Sequence, residues 1–209
     1  MHNLHHLQAC AARLPSTGPA ETAEALENLD IPPLAARLET LAGCSENWIE
    51  EELFSVPGAH ASLFLVPRGG VLPLHDHPDM TVLLRVVAGR FSIRSYDWAA
   101  EPPDADPPVS RLARQVADRV VTGADPVQVL LPGQGNLHRI EALEEGAFVD
   151  VFSPYYSEAD GRPCTYYREK GGEKGGEKGA VEAAGERLVR LVACSEEEAV
   201  TGSGTTAPS

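Results

Sequence analysis

Positive charge is what this chain is shortest of: 17 Lys and Arg stand against 31 Asp and Glu, a formal net charge of −14. A chain so balanced lacks the general field that draws proteins to nucleic acid or to anionic membranes, so neither is expected as a partner. A small-molecule or peptide site, whose potential is local, stays open. Long apolar runs are absent as well: no stretch approaches the roughly 20 residues that span a bilayer, and the first residues show no apolar core of a secretory signal. Cysteine is sparse and scattered. Cys10, Cys44, Cys164 and Cys194 form no CxxC pair, which in a chain without a secretory signal reads as reduced, intracellular thiols. A soluble cytoplasmic protein is expected, small enough for nuclear access, and a monomer.

What is abundant is punctuation. Seventeen prolines and 19 glycines separate short aliphatic and β-branched runs, the pattern of many turns and short strands. The 209 residues suit one domain with appendages. Residues 1–17, with His2, His5 and His6, read as a flexible tail, and 196–209 as another, acidic and then rich in Ser, Thr and Gly. Between them, 18–195 form the domain. Its first part, 18–43, is helical: Glu21, Glu24 and Glu27 come early, then Leu34, Leu38 and Leu41 recur at helical spacing. Pro32-Pro33 divides it into two helices, which pack outside a β core. Strand signals cover 61–66, 81–87, 90–98, 111–121, 127–131, 137–142 and 146–152, with a closing strand at 186–194. Glu-Lys-Gly-Gly repeats make 169–180 a flexible insertion. Strands at this density without intervening long helices predict an all-β barrel or double-sheet sandwich.

The stretch richest in chemistry is Pro73-Leu74-His75-Asp76-His77-Pro78-Asp79-Met80. Side chains two residues apart on a strand share a face, with Cα atoms about 6.5–7 Å apart at about 3.3 Å rise per residue. His75 and His77 are therefore placed to share one divalent ion. The third ligand is His138, which follows a glycine turn and starts a strand. Three neutral imidazoles leave three cis positions of an octahedral Fe(II) open, so that a substrate and O2 bind side by side. Compared with the usual pair of histidines and one carboxylate, this site is one negative charge poorer and favours an anionic thiolate. Zinc also fits these ligand types. Asp150, in Phe148-Val149-Asp150-Val151-Phe152, is an odd place for a carboxylate, since burial demands a partner.

The spacing resembles the cupin superfamily. Gly69, His75, His77 and Gly89 fit its first motif, but the motif's Glu falls on Val82. His138 fits the second motif, where Gly133 replaces a proline and Ala142 an asparagine. A cupin without that Glu is similar to the three-histidine thiol dioxygenases. Residues 67–98, Asn136-Leu137-His138, the run from Asp150 to Tyr156 and the run from Asp160 to Arg168 resemble, in order, the plant cysteine oxidase and 2-aminoethanethiol dioxygenase family over residues 45–168.

The resemblance implies a cupin-type double-stranded β-helix, a jelly-roll barrel with the N-terminal helices outside. It implies one Fe(II) per chain on His75, His77 and His138, with O2 as co-substrate. It implies oxidation of an N-terminal cysteine of peptides or proteins to cysteine sulfinic acid, and with it an oxygen-sensing role in N-degron turnover. The alternative within the family is cysteamine, oxidised to hypotaurine; outside it, a non-catalytic metal-binding cupin. Asp150 and Tyr156 fall on family positions associated with the substrate pocket, and Cys164 and Tyr166 on a pair that some members cross-link.

Overall fold

The computed structural model describes residues 2–31, 34–41, 47–99, 110–170, 180–183 and 186–201. Helices α1 (His2–Ala11), α2 (Leu14–Thr17), α3 (Ala20–Glu27) and α4 (Leu34–Glu39) come first. Strands β1 (Ile49–Val56), β2 (Ala59–Val66), β3 (Val71–Asp76), β4 (Thr81–Ala88), β5 (Arg90–Trp98) and β6 (Arg111–Thr122) follow. Then come β7 (Gln128–Leu130), β8 (Leu137–Ala142), β9 (Gly146–Ser153), β10 (Tyr166–Glu169), β11 (Ala180–Ala183), β12 (Glu186–Cys194) and α5 (Glu196–Thr201). No described helix is long and apolar enough to cross a membrane.

Two antiparallel sheets face each other, one ordered β1-β2-β9-β4-β7 and the other β10-β3-β8-β5-β6-β12-β11. This is the cupin-type all-β architecture. β2 and β9 are buried along their whole length because each has two apolar faces. Phe64, Phe148 and Phe152 point into the space between the sheets, with Val82, Leu84, Phe91 and Ile140. Ala61, Leu63, Leu65, Ala147, Val149 and Val151 point the other way, against the helices. Alternation along β9 therefore puts Asp150 on the inner face, between Phe148 and Phe152.

That outer apolar face explains the N-terminal helices. Leu7, Cys10, Ala11 and Leu14 are buried on it together with Leu26, Leu29 and Leu41, so residues 1–17 are not a tail. Leu4, Leu7, Ala11 and Leu14 are spaced three or four apart, one stripe of a helix; interspersed histidines and a short length obscured it in the sequence. Arg85 on β4 fastens this layer, its guanidinium donating to the Leu26 and Leu29 carbonyls at 2.8 and 2.6 Å at the C-terminal end of α3.

The expected two helices in 18–43 are α3 and α4, and 111–121 is strand. β1, β10 and β11 were not legible: in β1 the run Glu50-Glu51-Glu52 masks the period of two. Of the expected C-terminal tail, Glu196–Thr201 is helical, begun by a reciprocal cap between Ser195 and Glu198; 202–209 lie outside the described residues. So do 171–179 of the expected insertion, whose flanks are strand. Leu7→Ala is expected to cost about 2–5 kcal/mol in denaturant unfolding, the usual penalty for emptying a buried leucine site. A cost near zero would return the segment to a tail.

Candidate metal centre

β3 and β8 pair antiparallel with Leu72 opposite Ile140 and His75 opposite His138. Three steps on one strand answer two on the other, a β-bulge that falls at Pro73. Proline has no N–H to give the ladder, so sheets admit it at such irregularities. The extra residue reverses the alternation: Leu72 points inward and Leu74 outward, and His75 then joins His138 on the inner face. Without the bulge His75 would share the outer face.

His77 lies just past β3. Asn136 clamps its backbone in both directions, its Nδ2 donating to the His77 carbonyl at 2.6 Å and its Oδ1 accepting from the His77 N–H at 3.3 Å. Asp76 anchors the opposite side of the segment. Its carboxylate accepts from the Thr165 N–H at 3.0 Å and from the Tyr167 hydroxyl at 2.9 Å.

His75, His77 and His138 are buried, and their ligand atoms lie within 4.8 Å of one another. It is the sole metal-capable cluster among the described residues. The Nδ1–H of His75 donates to the Pro73 carbonyl at 2.8 Å, which leaves Nε2 as its lone pair. For His77, Nδ1 lies 2.6 Å from the Tyr156 hydroxyl, which itself donates to the Asp76 carbonyl at 2.9 Å. The phenol therefore accepts from Nδ1–H, and Nε2 is again free. These partners set the tautomers. The Nε2 atoms of His77 and His138 face each other at 3.0 Å.

Nothing among the described residues fixes the His138 tautomer, so this contact is met either by a neutral Nε2–H donating to the His77 lone pair or by a metal ion that takes both lone pairs. Burial disfavours protonated imidazoles: it pushes His75 down to about 4 against the opposing Pro73 bond, and it pushes His77 and His138 well below the usual imidazole range, aided by the neighbouring imidazoles. Neutral imidazoles are the metal-binding form. The three side chains are close enough to hold one divalent ion together, their ligand atoms being within 4.8 Å of one another. His138 Nδ1 has no hydrogen-bond partner among the described residues. Val82, where a cupin glutamate would stand, is fully buried in the apolar interior, so that position adds no ligand.

Beside the cluster lies a cavity of about 180 Å³, lined by His75 and by the expected pocket residues Asp150, Tyr156, Cys164 and Tyr166. Asp150 is 2% exposed, and its Oδ1 has no hydrogen-bond partner among the described residues. Burial, then the charge of Glu50, holds its carboxyl well above the usual range. Burial and the neighbouring Cys164 keep the Tyr156 phenol protonated far above its ordinary range, so it serves as donor rather than base. The Cys164 thiol touches both the Tyr156 and the Tyr166 hydroxyls, and burial pushes it up to about 11. It is a free thiol rather than half of a disulfide. Tyr166 pairs directly with His75 across β10 and β3.

Sequence reasoning missed Trp48, Glu50 and Tyr155, which also line the cavity, and the clamp formed by Asn136. Only a strand reading of 49–56 would have placed Glu50 on an inner face. Tyr156→Phe should weaken binding of a divalent metal such as Co(II) by about tenfold or more, because the bond that orients His77 is lost. Chelator competition measures this; an unchanged dissociation constant would count against the assigned role.

Residues 46–205 match the family model described as PCO_ADO. Plant cysteine oxidase 1 of Arabidopsis thaliana is 40% identical over 108 residues, covering 51% of this chain and 36% of that protein. Plant cysteine oxidase 2 of the same plant is 42% identical over 108 residues, 50% of this chain and 38% of its own length. The 2-aminoethanethiol dioxygenase of Homo sapiens is 32% identical over 161 residues, 68% of this chain and 60% of that protein. The chain thus spans from about a third to three-fifths of these relatives. With all three histidines inside the matched span, the chain belongs to the PCO_ADO family.

Proposed function

We propose that this chain is a non-haem Fe(II) thiol dioxygenase that oxidises an N-terminal cysteine of peptides or proteins to cysteine sulfinic acid. One observation carries the reading. Three buried imidazoles cluster together, and one of them, His75, lines a cavity that also holds Asp150, whose Oδ1 has no hydrogen-bond partner among the described residues; none of the described residues lining it is Lys or Arg. A thiol and a nearby ammonium fit those two features together. The overall change is balanced: R–SH plus O2 gives R–SO2H, both oxygens ending on sulfur.

His75, His77 and His138 are the proposed iron ligands. When bound, Fe(II) supplies the activation of dioxygen and favours the thiolate over the thiol. The protein's own residues do the rest. The Pro73 carbonyl and the Tyr156 hydroxyl hold two imidazoles with Nε2 presented. Asp150 receives the substrate's ammonium. Tyr156, protonated and tied to His77, is a positioning residue whose hydroxyl also borders the substrate. Cys164 and Tyr166 form the wall beside His75, and Phe64 and Phe152 keep water from the sulfur. Glu50, exposed, and Tyr155, 37% exposed, stand where a chain can continue outward from its first residue, which favours a peptide over cysteamine. An oxygen-sensing role belongs to the same proposal; an apparent KM for O2 far below cellular concentrations would remove it.

Iron-loaded protein incubated in air with a Cys-initiated peptide should add about 32 Da, two oxygen atoms on one sulfur. His138→Ala should abolish iron retention and turnover. A gain with Zn(II) as readily as with Fe(II), or no gain with any aminothiol, would contradict the proposal.

Asp150 gives a second test. Its folded-state affinity for protons exceeds the unfolded value of about 3.9, so the unfolded chain ionises first, and stability falls as pH rises above that value. Asp150→Asn removes the penalty. The variant should be more stable than wild type at pH 7, with a flatter dependence on pH, while its KM for the peptide rises. Lower stability would instead make Asp150 a structural residue.

A further inference from the structure

Three consecutive glutamates on β1 have different fates. Glu51 pairs with Arg37, and Glu52 lies 3.7 Å from the His60 ring. Glu50 lines the cavity, and no Lys or Arg among the described residues pairs with it. What holds it is a relay of neutral groups. The Ser62 hydroxyl donates to Glu50 Oε1 at 2.7 Å and stands 3.0 Å from His60 Nε2. The hydroxyl hydrogen is committed to Glu50, so the serine oxygen accepts from the imidazole. The His60 ring stacks on Tyr155 with centroids 4.0 Å apart. Ser62 is fully buried and sits opposite Asp150 in the β2–β9 ladder.

Glu50, held in this way through Oε1, lines the same cavity as Asp150. The cavity therefore holds two carboxyl groups and no described cationic side chain. The field of Glu50 adds to burial in keeping Asp150 protonated, and it also raises the Tyr155 phenol. Two carboxyl groups in one cavity suit a cation with several donors, and a primary ammonium offers three.

We infer that Glu50 joins Asp150 in a two-carboxylate subsite for the substrate's ammonium group, Asp150 at its depth and Glu50 at its open side. Glu50 is thus a specificity residue. The inference rests on the dioxygenase reading for the identity of the thiol end alone. The subsite also turns away thiols that carry a carboxylate next to the amine, because that group would face two carboxyl groups and no described Lys or Arg.

The experiment is an anaerobic calorimetric titration of the iron-loaded protein with a Cys-Gly-Gly amide and with its Nα-acetylated form. Wild type should bind the free amine at least about tenfold more tightly, or roughly 1.4 kcal/mol. Glu50→Gln should reduce that preference to about twofold, and in aerobic turnover it should raise KM about tenfold with kcat little changed, as for binding made equally in ground and transition states. Glu50→Lys should shift binding from cysteamine toward 3-mercaptopropionate. Wild type without amine preference, or Glu50→Gln with the full preference, overturns the inference. Amine preference that depends on Glu50 but without sulfinic acid product leaves the subsite and removes the dioxygenase. Product with an indifferent Glu50→Gln does the reverse.

Discussion

The bulge at Pro73 is the constraint on which the site depends. One residue added to β3, at a position that has no N–H to lose, reverses which face its side chains occupy. It brings His75 inside, opposite His138, and leaves Leu74 to pack on the outer face. The same proline's carbonyl then takes the Nδ1–H of His75. Strand irregularity, side-chain direction and tautomer follow from one residue.

Around that point every polar group has a holding task. Asn136 substitutes for a strand partner at His77, where the ladder has ended, and Asp76 binds the segment that carries Cys164 and Tyr166 to β3. Tyr156 passes a hydrogen bond from His77 to the backbone of Asp76. Buried polar groups are costly unless satisfied, so the exceptions carry information. Asp150 Oδ1 and His138 Nδ1 are left without hydrogen-bond partners among the described residues. A buried carboxyl oxygen without a described partner, on the inner face of a fully buried strand, is placed to receive a ligand.

The helices serve the site from a distance. β9 carries Asp150 inward only because Val149 and Val151 are covered outward by α1 and its neighbours. The N-terminal segment is thus part of what holds the cavity wall, and Arg85 ties α3 to the strand beside β9.

Much of this was legible in the residues. The His-x-His pair, the third histidine after a glycine turn and the valine in place of a glutamate are local facts, and strands announced by β-branched runs between glycines and prolines are local too. The acidic run of β1 was not legible, because three charges in succession hide a two-residue period. Nor was the N-terminal stripe, whose apolar residues matter only once there is a sheet face to cover. The sequence by itself determined which side chains are candidates to hold a metal and that a carboxyl sits in an apolar strand. Only the tertiary structure decided that the carboxyl lacks a partner, that Tyr156 is tied to His77, and that Glu50 shares the cavity. Ligand type is a property of the residue; satisfaction, orientation and charge balance are properties of what long-range strand pairing places around it.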